Sequence, residues 1–298
     1  MADIAASVLA RLKNKAAESG KSYQLCLQLF CQEEFLRRLE KSRYAENFVL
    51  KGGLFLYSLT GFDSRVTVDV DFLLRKIPNT VGQLKAIISE IIEISTENDF
   101  VTFEIKDINP IALMKKYHGV GVSLIAKIKN TKTPFGVDLG IGDVIVPREQ
   151  KLKIPTQLPD FHAPTVNSYS IETTVAEKID AILDLMEFSS RMKDYYDIYY
   201  LASKFDFEGK ILAEALQKTF SNRGHLFTQN QFKEILDFGQ NTAMNTKWKA
   251  FVKKSSVEVK DYPLILSKIK DFLSEPFAAA IKSADFNKQW ISSEGIWK

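Results

Sequence analysis

Apolar side chains recur at helical spacing through the first forty residues. Ala5, Val8, Leu9 and Leu12 form one stripe before Gly20, and Leu25, Leu29, Phe30, Leu36 and Leu39 form a second after Ser22, a natural N-cap. The pattern then shortens. Asn47-Phe48-Val49-Leu50 is an apolar run closed by Lys51-Gly52-Gly53, which predicts a strand feeding a glycine turn and then a helix from Leu54 to about Leu59. Val66 to Leu74 reads as a strand, and Val81 to Ile94 as a helix with Leu84, Ile87, Ile88, Ile91 and Ile92 on its apolar face. Strand-like segments follow at 100–105, 120–128 and 135–139, the last broken by Gly140 and Gly142.

Four of the nine prolines, Pro147, Pro155, Pro159 and Pro164, crowd into one stretch. It predicts a boundary between a lobe of residues 1–155 and a lobe of residues 156–298. Beyond it the pattern is helical almost to the end, with candidate helices at 172–187, 192–204, 210–220, 231–238, 246–253 and 264–281. Helices, then mixed strands and helices, then helices alone predict an α+β fold: a mixed-sheet lobe with N-terminal helices, followed by a C-terminal helical lobe. A cleft between lobes is a natural ligand site.

Composition narrows the class. The 298 residues are 45% hydrophobic and 26% charged, an ordinary globular balance that argues against disorder. No apolar run approaches the ~20 residues that span a bilayer. The first twenty lack the apolar core of a secretory signal, so the cytoplasm is the expected location and no membrane partner is expected. Cys26 and Cys31, five apart in one helix, are poorly placed for a disulfide and read as buried thiols. Three scattered histidines are too few for a zinc site, so a bound metal would need carboxylates, which favours magnesium or manganese. Residues 1–204 carry 26 basic and 26 acidic side chains and residues 205–298 carry 14 and 11, so the +3 surplus lies in the last third, a weak sign of a polyanion partner.

The stretch richest in chemistry is Gly52-Gly53 followed, fifteen positions on, by Val68-Asp69-Val70-Asp71-Phe72. Alternation puts Asp69 and Asp71 on one face of a strand and Val68, Val70 and Phe72 on the other. Two adjacent carboxylates repel, and a divalent cation relieves the conflict; a solvated acidic strand face is the plainer reading. The glycines let a backbone approach a phosphate and open a helix whose positive end faces an anion. Val137-Asp138-Leu139 supplies a third strand carboxylate, although an aspartate before a glycine turn is common on its own; Asp143 is a weaker candidate. Glycine turn, helix and D-x-D strand resemble the nucleotidyltransferases related to DNA polymerase β. In the fold of those enzymes, three such carboxylates would bind one or two Mg²⁺ (or Mn²⁺) and hold a nucleoside triphosphate. The spacer here is slightly longer than usual there, and Gly53 stands where many relatives have serine.

The resemblance sharpens over further segments. Gln32 to Leu39, Phe48 to Gly53, Arg65 to Asp71, Pro134 to Asp143, Ala176-Glu177-Lys178 and Ser190 to Asp197 are similar, in order, to the AbiEii/AbiGii toxin family of nucleotidyltransferases. The likeness runs from about residue 25 to residue 225. It implies a nucleotidyltransferase core in the mixed-sheet lobe. It also implies catalytic roles for Asp69, Asp71, Asp138, Lys178 and Asp194, and nucleotide contacts by Gly52 and Gly53. An NTP substrate, tRNA as an acceptor for some members, and a cognate antitoxin follow from the same likeness.

The remaining candidates carry two readings each. Lys178 lies beside the buried stripe Val175, Ile179, Ile182 and Met186, placed to balance a triphosphate or to snorkel from the edge of a core face. Asp194 and Asp197 share a helix face and either orient Lys178 or join a salt-bridge network, with Asp197 the more structural. Arg65 and Thr67 fall on the alternate face with Asp69, where an arginine holds phosphate or pairs with the carboxylates; Lys51 is a phosphate contact or a turn lysine. Lys247, Lys249, Lys253 and Lys254, interleaved with Trp248 and Phe251, guide an RNA backbone or line the outside of an amphipathic helix. Tyr195, Tyr196, Tyr199 and Tyr200 read mainly as core.

The expected function is transfer of a nucleoside monophosphate from an NTP to the 3′ end of an RNA, tRNA foremost, by the toxin of a toxin–antitoxin or abortive-infection system. A module that binds nucleotide or RNA without catalysis, and a nucleotidyltransferase that modifies protein, are the competing expectations.

Overall fold

A computed structural model of the chain describes residues 3–63, 69–111, 119–255, 257 and 261–298. It separates into one unit of Met1–Gly142 with Gln150–Ser168 and another of Asp143–Glu149 with Tyr169–Lys298. The fold is α+β.

The first unit opens with helices Ile4–Ser19 (α1) and Tyr23–Lys41 (α2). Their starts are set by side chains that satisfy first-turn amides: Ala6 N–H donates to Asp3 Oδ1 (3.1 Å) and Leu25 N–H to Ser22 Oγ (3.2 Å). Then come Phe48–Lys51 (β1), Gly52–Thr60 (α3), Val70–Leu74 (β2), Val81–Ile92 (α4), Val101–Ile111 (β3), Gly119–Ile128 (β4), Thr131–Gly140 (β5), Gln150–Lys153 (β6) and Thr165–Ser168 (β7). The strands form one mixed sheet in the order β3-β4-β5-β2-β1-β7-β6. Its central pairs β2/β5 and β1/β7 are parallel, and the rest are antiparallel. Val70, Phe72, Val137 and Leu139 leave one face fully buried. Phe35 of α2 covers that face, its ring centroid 6.4 Å from Phe72, 6.4 Å from Phe103 and 6.3 Å from Phe135. Each such buried phenyl stabilises the unit by roughly 2–3 kcal/mol.

The described elements refine three sequence expectations. The segment 147–164, read as a boundary, contains β6, and β7 follows directly. Four-residue strands such as Thr165-Val166-Asn167-Ser168 are too short to show alternation. The glycine pair is not a turn before a helix but the helix's own first turn. Of the strand predicted over 66–74, Val70–Leu74 is described as β2, and residues 64–68 lie outside the described residues.

The polar residues of the Gln32–Leu39 segment are buried rather than exposed. Arg37 bridges Glu33 and Glu34 (both 3.2 Å), Arg38 pairs with Glu34 (3.3 Å), and the guanidiniums donate onward to His162 O and Val101 O (both 2.6 Å). The segment is thus a structural staple for the strand and loop it touches. Glu33 also accepts from Gln157 N–H (3.0 Å), yet burial raises its carboxyl to about 7 against the lowering pull of Arg37 and Gln157. Between about pH 4.5 and 7 the folded chain therefore keeps a proton here that the unfolded chain has lost. This group's stabilisation is full below that window and declines as pH rises through it. We expect Glu33→Gln to gain on the wild type by roughly 1–3 kcal/mol from about pH 5 to about pH 8 in urea unfolding. A pH-independent difference would mean that Glu33 is ionised throughout.

The second unit contains Ile171–Leu185 (α5), Met192–Lys204 (α6), Phe207–Glu208 (β8), Gly209–Arg223 (α7), Gln229–Asp237 (α8), Thr242–Ser255 (α9), Tyr262–Lys282 (α10), Gln289–Ile291 (β9) and Ile296–Trp297 (β10). Helices α5, α6, α7 and α10 pack on one another, with Tyr195 edge-on to Tyr262 (5.5 Å) among them. Tyr195, Tyr196 and Tyr200 are buried. The region is not helical to its end: β10, β9 and β8 make a small sheet that seats Trp290 against Phe272 (5.0 Å), with Trp290 Nε1–H donating to Ala202 O (2.7 Å).

Cys26 and Cys31 are both buried and unbridged, and burial pushes the Cys31 thiol up to about 12. Among the described residues no helix is long and apolar enough to cross a membrane.

Candidate active site

The sheet face opposite the phenylalanine core carries the carboxylates. Asp71 on β2 and Asp138 on β5 occupy the same register position of two parallel neighbours. Their Cα atoms are therefore about 5 Å apart, with both side chains on one face. The row continues across the sheet. Lys51 of β1 stands directly opposite Asp71, Gly121 of β4 opposite Asp138, and Asn109 of β3 opposite Gly121. Directly paired residues share a face. Asp71 and Asp138 are half-buried and Asp69, just ahead of β2, is exposed. Asp69 joins the same face because Gly136 N–H donates to its Oδ1 (3.2 Å).

Glycines make room for each carboxylate. A Cβ at Gly52 would lie 2.0 Å from Asp71 Oδ2, and Gly52 has φ +68°, so the backbone and the neighbouring side chain both demand glycine. A Cβ at Gly136 would lie 2.5 Å from Asp69 Oδ1, and one at Gly121 would lie 3.4 Å from Asp138 Oδ1. Gly121, Gly136 and Asn109 escape the sequence reading. The available signal was a glycine inside each of two apolar strands, which marks a close approach by another group. Gly52 and Gly53 open α3, whose N-cap Lys51 gives no side-chain cap to the first-turn amides. That helix end presents N–H groups to an anion.

The donors here are all carboxylate oxygens, with no histidine or cysteine in the row, a set suited to Mg²⁺ or Mn²⁺. The hollow at Gly52, already filled by the Asp71 carboxylate, keeps that donor at the mouth of the turn. Among the described residues no three His, Cys, Asp or Glu side chains converge as a ready metal cage; the backbone supplies a shared face. Arg65 and Thr67 lie outside the described residues.

Lys178 and Asp194 belong to the second unit. Lys178 is buried on α5, and its Nζ donates to Asp194 Oδ1 (2.9 Å) and Asp197 Oδ2 (2.5 Å) on α6. Arg191 Nε donates to the other Asp194 oxygen (2.6 Å). Burial works to raise the Asp194 carboxyl, but Lys178 and Arg191 outweigh it and hold it down at about 2. Lys178 is therefore no snorkelling surface lysine, and Asp197 grips it as closely as Asp194 does. Asp143 instead pairs with Arg223 (2.9 Å), which also binds Asp180 (2.8 Å), and His225 Nδ1 meets Asp180 (2.8 Å). Its carboxylate thus ties the 143–149 segment to α5 and α7, a structural role.

Comparisons with known proteins follow this geometry. Residues 34–282 match the model of a family described as nucleotidyl transferase AbiEii toxin, type IV toxin–antitoxin system. No curated protein matches the chain. Two crystal structures from Helicobacter pylori share the fold. JHP933 is 16% identical over 88% of this chain and 98% of its own, with a TM-score of 0.50. The second, provisionally described as a nucleotidyltransferase, is 17% identical over 89% of this chain and 100% of its own, also with a TM-score of 0.50.

Proposed function

Because the chain belongs to the AbiEii family of nucleotidyltransferase toxins of type IV toxin–antitoxin systems, we propose that it transfers a nucleoside monophosphate from an NTP to the 3′ end of an RNA, with tRNA the favoured acceptor. The observation that carries this reading is the pairing of Asp71 with Asp138 in one register row, beside a glycine-opened helix end.

Asp69, Asp71 and Asp138 would hold one or two Mg²⁺ (or Mn²⁺), which when bound supply charge neutralisation to the triphosphate and the leaving pyrophosphate. The first-turn amides of Gly52 and Gly53 lie against phosphate oxygens, joined by Lys51 and, on the sequence pattern alone, Arg65 and Thr67. Asp138 orients the acceptor hydroxyl and takes its proton as the hydroxyl oxygen bonds to the α-phosphorus. The α–β phosphoanhydride bond breaks, and pyrophosphate leaves with that electron pair. On the family likeness alone, Lys178 would offset triphosphate charge, with Asp194 and Asp197 holding its ammonium in place. A cognate antitoxin would counter the product's toxicity.

The test is transfer of label from each α-labelled NTP, with Mg²⁺, to total tRNA or to whole lysate. We expect label on RNA, and a fall of roughly a thousandfold for Asp69→Ala, Asp71→Asn and Asp138→Asn. Label on protein would replace the acceptor, label nowhere would leave a binding module, and undiminished transfer by Asp71→Asn would overturn the site.

A further inference from the structure

Helix α9 carries Lys247, Lys249, Lys253 and Lys254 and no acidic residue. Met244 and Trp248 are its buried side, with Phe251 half-buried beside them. At 100° per residue Lys249 and Lys253 point opposite that side, about 6 Å apart along the axis, while Lys247 and Lys254 share a flank. Lys249, Lys253 and Lys254 are exposed, and among the described residues none of them has a carboxylate partner. The helix dipole favours Lys253 and Lys254 in the last turn. It explains neither Lys249 nor the lack of any acid along the helix.

Contacts join this strip to the charged pair of the second unit. Lys247 Nζ donates to Glu187 O (2.7 Å) and Ser189 O (3.0 Å), which seats the start of α9 on the loop ahead of α6. Arg191 N–H donates to Ser189 Oγ (3.1 Å), and the Arg191 side chain, 44% exposed, reaches Asp194. Lys193 is exposed next to it.

We propose that Arg191, Lys193, Lys249, Lys253 and Lys254 form a docking surface for the phosphodiester backbone of an RNA. The strip leads from the outer face of α9 towards Lys178 and Asp194, and a row of exposed cations complements a polyanion laid along it. The proposal rests on the RNA-acceptor reading and adds where the acceptor is held.

Binding of fluorescein-labelled unfractionated tRNA, followed by anisotropy across a KCl series, tests it without needing catalysis. The Lys249→Gln/Lys253→Gln/Lys254→Gln variant should bind at least ~10-fold more weakly near 0.1 M KCl, and its log K against log salt slope should fall by about 2–3. Lys249→Gln alone, outside the reach of the helix-end dipole, should lower the slope by about 1. The Lys210→Gln/Lys270→Gln/Lys282→Gln control changes net charge equally at exposed sites and should stay within about twofold of wild type. Equal losses in both triple variants would reduce the effect to net charge and overturn the surface, as would unchanged binding by the α9 variant. If the wild type labels RNA while the α9 variant still binds normally, the surface alone fails. If the wild type neither binds nor labels RNA, the acceptor reading fails with it.

Discussion

Gly52→Ala is expected to lose at least ~100-fold in nucleotidyl transfer while remaining folded. Two costs meet at this position. One is conformational, because φ +68° disfavours any side chain by roughly 1–2 kcal/mol. The other is a collision: the new Cβ would lie 2.0 Å from Asp71 Oδ2, so the carboxylate must move by more than an ångström. A displacement of that size at a reacting centre costs about two orders of magnitude in rate. Gly20→Ala separates the two costs. Gly20 has φ +66° with nothing within 4 Å of an added Cβ, so it should show the conformational loss alone, about 1 kcal/mol in urea unfolding, with full label transfer. If both variants kept full activity, Asp71 would not be working at the mouth of the glycine turn.

That contrast also shows what the sequence could and could not disclose. The D-x-D pattern and the glycine pair are local, and spacing alone placed Asp71 on a strand face opposite Val70 and Phe72. The partnership of Asp71 with Asp138 is not local. It depends on the parallel pairing of β2 and β5, which no periodicity specifies, and on β4 joining β5 so that Gly121 clears the space beside Asp138. Helices were readable where a cap and an apolar stripe agree: Ser22 ahead of α2, and Ile179 and Ile182 along α5. The strands β7, β9 and β10 were not, because two to four residues give alternation nothing to act on. One stretch of charged residues gives no sign of its burial. Glu33, Glu34, Arg37 and Arg38 sit within two turns of α2, yet they pair with one another inside the first unit. A polar residue type reports its exposure only when its partners are known, and those lie one turn away or across the fold.

Lys178→Met is expected to cost about 3–5 kcal/mol of stability and to abolish transfer, and the two losses have different origins. The substitution leaves Asp194 and Asp197, each 1% exposed, with Arg191 as the cation that still contacts Asp194. Removing the shared cation from two buried carboxylates is the expensive part. Adding Asp197→Asn removes that surplus negative charge and leaves Arg191 paired with Asp194, so the double variant should regain at least about half of the lost stability. On the role proposed for Lys178, it should not regain activity, because the ammonium is still missing. Urea unfolding and label transfer, measured on the single variant, the double variant and Asp197→Asn alone, therefore part the structural lysine from the catalytic one. Recovery of transfer in step with stability would assign Lys178 to the fold alone. Recovery of stability without transfer leaves substrate charge as the reason a lysine, and not a packed methionine, occupies this position between two aspartates.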